Sequence, residues 1–407
     1  MTESIKKYAE LLVRSGGNVQ KDQPVIITSD VADADFARMV QNYAYEAGAS
    51  EVVIDWLDDI SVRTRYIRAA DKTFDEFPQW RVDRYKYYDD KGAVYLHIRS
   101  SDPDLLKGVS PDRIQRYTKV SRQGTKAHSA RTMSNELRWS LLAVPSPSWA
   151  AKVYPKLSES EAFDALWKAI LKCARADGSD PIADWSAHRK TFEARKNYLN
   201  DKQFKSLHFT NSLGTDLVVG LPKNHEWQGG GDVGQDGVPF FPNMPTEEIF
   251  TAPDRNNIEG KVVASMPLSY QGNLIEDFNI TFKKGEAVEY QAKEGEAILK
   301  NIIGMDEGSR YLGEVALVAN SSPISQMGVL FYSTLFDENA SSHLALGKAY
   351  PDCIKGGTKM SEDELAKAGI NDSLLHVDFM FGTADMSVVG LDYDGKETVV
   401  MENGELV

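Results

Sequence analysis

Cysteine is almost missing from this chain, with two residues, Cys173 and Cys353, in 407. So few thiols build no disulfide framework, and without a CxxC pair there is no thiolate zinc or redox motif. Excess positive charge is missing as well. Lys and Arg number 46 against 60 Asp and Glu, a net charge of −14. That balance argues against a nucleic-acid-binding surface and disfavours anionic membranes. No apolar run approaches the ~20 residues that span a bilayer. Residues 1–17 have neither the apolar core nor the small-residue cleavage site of a signal peptide. These absences predict a soluble, cytoplasmic protein.

What is present is ordinary globular material. Hydrophobic residues make up 42% and aromatic residues 10%, which excludes disorder as the main state. The length predicts two or three domains. Over residues 1–200 helical and strand patterns alternate. Helix-spaced apolar positions at Ile5, Tyr8, Leu11 and Leu12 stop at Gly16-Gly17. Strand patterns at 24–28 and 51–55 flank a helix over 32–47, a βαβ unit that predicts a parallel sheet. Further helices are predicted over 59–89, 110–128, 158–177 and 185–199, with strands at 93–98 and 139–144. From about residue 205 the texture becomes short strand segments between turns, with helices near 294–308 and 361–368. The reading is an α/β domain over 1–200 with a parallel sheet, and an α+β domain over 201–407 with a mostly antiparallel, barrel-like sheet.

Several motifs fail on inspection. Residues 229–234 (GGGDVG) satisfy GxGxxG, but the continuation QDGVPFFP cannot open the helix that a dinucleotide fingerprint needs. A loop is expected there. Asp232 and Asp236 do not start a calcium loop, because its twelfth position would be Asn243. His225-Glu226 begins an HExxH, but Gly229 stands where the second His belongs.

One constellation survives. Carboxylates and histidines recur in residues 243–253 (NMPTEEIFTAP), 312–318 (LGEVALV), 335–347 (LFDENASSHLALG), 348–351 (KAYP) and 375–380 (LHVDFM). His376 and Asp378 are two apart, so on a strand they share a face. Glu314 interrupts an apolar strand, where an unpaired carboxylate would cost several kcal/mol. The bland alternatives are a surface Glu314 and a core His343 beside an Asp337 helix cap. The remaining histidines (His97, His128, His188, His208 and His225) have no comparable partners and read as structural or surface groups.

These blocks, with residues 8–13 (YAELLV), 143–150 (AVPSPSWA) and 214–217 (GTDL), resemble the thermophilic-aminopeptidase family of dinuclear metallopeptidases along nearly the whole chain. The resemblance implies metal ligands at Glu248, Glu314, His343, Tyr350, His376 and Asp378, a homodimer, and two divalent ions per subunit (zinc, cobalt, manganese or magnesium). Residue 247 is Glu where some members have Gly; on a strand only one of Glu247 and Glu248 faces inward, and the family pattern selects Glu248. Three carboxylates facing two divalent ions leave one positive charge, which a bridging hydroxide neutralises; without metal the carboxylates repel and their pKa values rise. Asp378, with two oxygens, is expected to bridge the ions.

The leading reading is an aminopeptidase that releases N-terminal residues from peptides by attack of a metal-bridging hydroxide. Its substrates are peptides with a free N-terminus; Asp337 and Glu338 are candidates to anchor the amino group. Tyr350, with a phenol pKa of about 10, could instead donate a hydrogen bond to the tetrahedral oxyanion. The first 200 residues would then serve access or assembly. The rivals are another metal-dependent hydrolase, an amidase or phosphoesterase, and a peptide-binding protein that has lost catalysis. Few Arg or Lys in the signature blocks disfavour a phosphoesterase, and the intact ligand set disfavours lost catalysis.

Overall fold

A computed structural model describes residues 1–100, 102–270 and 273–407. The chain forms two compact units, one of Met1–Ala187 with Gly231–Pro245, the other of His188–Gly230 with Thr246–Val407. The division lies at Ala187/His188 rather than near residue 200, and a segment from the second half of the sequence returns to the first unit.

The first unit is built on a parallel sheet. Its strands run in the order Asn243–Met244, Trp139–Ala143, Val94–Arg99, Pro24–Asp30, Glu51–Leu57. The βαβ arrangement follows from the sequence: Val25, Ile26 and Ile27 are buried on both faces, and the Ala34–Glu46 helix buries Phe36, Ala37 and Val40. The first helix, Thr2–Leu11, runs into a π-helical turn, Leu12–Gly16. Its Tyr8 is fully buried and donates to the Ala143 carbonyl at 3.0 Å. A short helix, Pro147–Val153, was hidden in the sequence by its flanking prolines; Pro147 sits in the first turn, where its missing N–H does no harm.

The GxGxxG segment opens no helix. It continues into a two-stranded hairpin, Asp232–Val233 with Pro239–Phe240. Within this unit Asp236 pairs with the buried Arg138 at 3.1 Å, and Phe241 packs edge-on against Trp185.

Among the described residues the second unit holds two large antiparallel sheets and a two-stranded one, Leu268–Tyr270 with Asn273–Ile275. Five strands run in the order His376–Met380, His343–Gly347, Leu312–Val318, Glu248–Thr251, Gln228–Gly229. Eight more form the other sheet, from Glu286–Gln291 at one edge to Glu405–Leu406 at the other. Val315, Leu317, Leu344, Leu346 and Phe379 of the first sheet share one hydrophobic core with Phe209, Leu217, Val262, Ile280 and Val388 of the second. Among the described residues no helix is long and apolar enough to cross a membrane.

His128 and His208 each have an acidic neighbour. His128 Nδ1 lies 3.0 Å from the buried Asp89, and His208 Nε2 lies 2.7 Å from Asp216 on the adjacent strand. His97 is different: burial first, then the charges of Arg99 and His128, lower its pKa to about 3. An unfolded imidazole titrates near 6.5, so the stability from a neutral His97 is present above that pH and lost as pH falls toward about 3. We predict that His97→Phe flattens the acid side of the stability profile. Urea unfolding at pH 7.5 and pH 5 should show wild type losing about 2 kcal/mol more than the variant between those pH values; equal losses would contradict it.

Candidate metal centre

Strand register places the polar residues. In the five-stranded sheet Glu248 pairs with Val318, Ala316 with His343, Ala345 with Asp378, and Gly347 with His376. Cross-strand partners share a face, so Glu248, His343, His376 and Asp378 all project from the same side. The alternate residues Ile249, Val315, Leu317, Leu344, Leu346, Val377 and Phe379 enter the core on the other side. Between the functional groups the shared face carries Ala316, Ala345 and Gly347, whose small size leaves room above the sheet.

Glu314 is in phase with Ala316 and pairs with Ala345, so regular alternation already puts it on the polar side. Leu312, two residues earlier, would share that face in a regular strand, yet it is in the core. The register shifts between them, and this bulge at Gly313 turns Leu312 inward. A Cβ on Gly313 would sit 2.4 Å from the Gly347 and Lys348 carbonyl oxygens, so the bulge needs glycine there.

The resulting geometry is tight. His343 Nε2 lies 3.1 Å from Glu248 and 3.2 Å from Glu314 Oε1. His376 Nε2 lies 3.2 Å from Asp378 and 3.7 Å from Glu314 Oε2. Two triads can each hold a metal ion: Glu248, Glu314 and His343, and Glu314, His376 and Asp378. Glu314, rather than Asp378, is common to both, with one oxygen toward each imidazole. Hydrogen bonds orient the rings: His343 Nδ1 donates to the Ser341 carbonyl at 3.1 Å and His376 Nδ1 to the Lys348 carbonyl at 2.6 Å. Each Nε2 is thereby left free to ligate, as in metal-bound histidines with a carbonyl behind them.

Three more residues belong to this place. Tyr350 sits with its ring centroid 5.1 Å from that of His376. Glu338 faces the cluster beside Asp378. Asn339, fully buried, accepts from the Glu247 N–H at 2.6 Å and donates to the Leu335 carbonyl at 3.1 Å. It ties the start of the Glu248 strand to the turn that carries Glu338, a role with no signature in the sequence beyond its place between Glu338 and His343. Asp337 lines the same small pocket as Glu338 and Asp378. Its carboxylate is taken up by the Phe331 and Ser333 N–H groups at 2.7 and 2.9 Å. Glu247 is buried too, but Glu248 is the one beside His343.

The electrostatics show a site with too much negative charge. Burial pushes Glu314 up to about 6, with the charges of Asp378 and Glu248 adding to it against the hydrogen bond from His343. Burial, then Glu248 and Asp378, push Glu338 well up. Burial opposes the charged imidazoles, yet Glu248 and Glu314 hold His343 well above its usual value, and Asp378 and Glu314 raise His376 to about 9. Burial would raise Asp378, but His376 and His343 keep it low. Burial, then the carboxylates, raise Tyr350, so its phenol stays protonated. Asp378 Oδ1 is buried, with His376 Nε2 3.2 Å away. Four carboxylates around two imidazoles, with no thiolate among them, fit hard or borderline divalent cations.

Over residues 1–406 the chain matches the thermophilic metalloprotease (M29) family. It is 43% identical to aminopeptidase PepS of Streptococcus thermophilus, over 100% of this chain and 98% of that one. To aminopeptidase AmpS of Bacillus subtilis it is 42% identical, covering 99% and 98%. The solved structure of wild-type AmpT from Thermus thermophilus superposes with a TM-score of 0.93 at 39% identity, covering 100% of this chain and 99% of that one.

Ligation requires unprotonated imidazoles and carboxylates, whereas Glu314, Glu338, His343 and His376 all hold protons more tightly than usual in the absence of metal. Binding therefore displaces protons, and affinity should climb as pH rises from 6 to 9. Titrating zinc into stripped protein in buffers of different ionisation enthalpy measures the release at pH 7. Uptake of zinc with no proton release would contradict this picture of the site.

Proposed function

The chain belongs to the thermophilic metalloprotease (M29) family, and from that premise we propose that it is a dinuclear aminopeptidase releasing N-terminal residues from peptides. The observation that carries the reading is Glu314, whose two oxygens lie 3.2 and 3.7 Å from the imidazoles of two different triads. A carboxylate so placed suits a bridge between two ions. Glu248 and His343 would complete one site, His376 and Asp378 the other, with Tyr350 at the edge of the second. Two divalent ions bound there supply a hydroxide nucleophile at neutral pH and polarise the scissile carbonyl.

The protein's own groups do the rest. Glu338 is the carboxylate outside both triads, and it anchors the substrate's α-ammonium, which makes a free N-terminus the point of recognition. Tyr350, kept protonated by its surroundings, donates to the oxyanion of the tetrahedral intermediate. The apolar core behind the sheet keeps the ligand-bearing strands rigid, so the groups are positioned before substrate arrives. A phosphoesterase finds no support at this site. Lys348 is the cationic residue beside it in sequence, and its ammonium pairs with Asp372 at 3.2 Å. The family resemblance also supports a homodimer acting in the cytoplasm, with the first unit serving access or assembly.

The reading is tested with short peptides and their N-acetylated counterparts, before and after chelation. Free peptides should be cleaved from the N-terminus, chelation should abolish turnover, and replacement of zinc, cobalt or manganese should restore it. An acetylated peptide cleaved as fast as the free one would shift the assignment to an endopeptidase or amidase.

Tyr350→Phe separates two roles for the phenol. As an oxyanion donor its loss lowers kcat by roughly 10²–10³-fold while metal per subunit, by elemental analysis, stays the same. Loss of metal in the Phe variant would make Tyr350 a ligand instead.

A further inference from the structure

The Glu338 carboxylate stands in a place that its neighbours oppose. Burial, then the charges of Glu248 and Asp378, weigh against it in the free protein, so the backbone beneath it must hold it there. That backbone is slight. Glu338 follows a four-residue helix, Thr334–Asp337, and opens a three-residue 3-10 turn, Glu338–Ala340. So short a helix is not stable by itself. Its apolar side, Leu335 and Phe336, is buried; on its polar side the residues flanking Glu338 do the holding. Asn339 accepts from the Glu247 N–H, and Asp337 ties the other end.

The tie at Asp337 is closed in both directions. Its carboxylate accepts from the Phe331 N–H at 2.7 Å and the Ser333 N–H at 2.9 Å, one on each oxygen. In return the Ser333 carbonyl accepts from the Asp337 N–H at 2.9 Å. Tyr332, between the two donors, has φ 56°, a left-handed backbone that an aromatic residue rarely adopts. The stacked rings of Phe331 and Phe336, with centroids 4.8 Å apart, join the same turn to the helix. Burial pushes the Asp337 carboxyl up to about 7 against the pull of the amides. An asparagine there would avoid that cost but would offer one acceptor oxygen to two donors.

We propose that Asp337 is a positioning residue: by fastening the Phe331–Ser333 turn to the helix it sets Glu338 where the substrate's amino group arrives. The inference rests on the aminopeptidase reading, in which Glu338 takes that group, and adds the residue through which Glu338 is held. Tyr332, Ser333, Asp337 and Glu338 line one small void together with Asp378. A shift of the turn therefore moves the wall of that void and Glu338 together.

The test uses metal-loaded full-length protein. Asp337→Asn keeps the size of the side chain and removes one acceptor. A misplacement of about 1 Å can cost roughly 100-fold in rate, so kcat/KM on peptides with a free N-terminus should fall roughly 10- to 100-fold. Metal per subunit, by elemental analysis, should stay the same. Because Asp337 acts through Glu338, the two losses should not add. Glu338→Gln should lower kcat/KM by itself, and the double variant should lie within about threefold of it.

A second readout needs no turnover. Calorimetry compares L-leucine with 4-methylpentanoate, the same acid without its amino group. Wild type should prefer the amino acid, and Asp337→Asn should shrink that preference by roughly tenfold. A general loosening of the fold would weaken both acids alike. Should Asp337→Asn fold poorly, Asp337→Ser enters the same cycle, with one short hydroxyl in place of both carboxylate oxygens. Losses that add in full, loss of metal, or an unchanged amino preference would overturn the inference and leave the aminopeptidase reading standing. A Glu338→Gln protein as active as wild type would overturn the inference together with the anchoring role of Glu338. No cleavage of any free peptide would overturn the whole reading.

Discussion

The structure depends on one constraint: three carboxylates and two imidazoles must coexist on one face of a β-sheet, with a fourth carboxylate, Glu338, set against them from a helical turn. Glu248, Glu314, Glu338 and Asp378 cannot all be ionised in low dielectric without cations, and the raised proton affinities of Glu314 and Glu338 show the strain of that crowding. Isolated, such a cluster would destabilise the sheet that carries it. Divalent ions held by the two triads would tie these strands together, so metal binding and local stability would be one equilibrium.

The sheet accommodates this by separating its two faces. One side is a continuous apolar surface, from Ile249 through Val315 and Leu344 to Phe379, packed against the eight-stranded sheet. The other keeps Ala and Gly between the functional groups. The bulge at Gly313 marks where the two demands meet, because a regular strand would send Glu314 into the core or Leu312 out of it. Behind the cluster, carbonyls of Ser341 and Lys348 fix the imidazole tautomers, and Asn339 fixes the relation of Glu248 to Glu338. Few of these supports are charged, so they orient the site without adding to its electrostatic burden.

Much of this was legible in the linear chain. Alternating βαβ patterns announced the parallel sheet, since burial on both faces demands continuous apolar runs such as PVII. The i, i+2 spacing of His376 and Asp378 announced a shared face, and the signature blocks pointed to the other cluster residues. What the chain could not reveal depended on pairing between distant segments. Nothing local tells that residues 231–245 return to the first unit, because the Asn243–Met244 strand is too short to signal its partner Trp139–Ala143. The sharing of Glu314 between two triads, a place that ligand chemistry suggested for Asp378, was decided by strand pairing, and register is a property of two strands together rather than of either alone. Likewise Asp337 and Glu338 are adjacent and alike in sequence. The tertiary structure alone gave the Asp337 carboxylate to backbone amides and set Glu338 among the other carboxylates, because successive residues of a helical turn point about 100° apart. Residue identities thus determined which chemistry was available, and strand register determined which groups could act together.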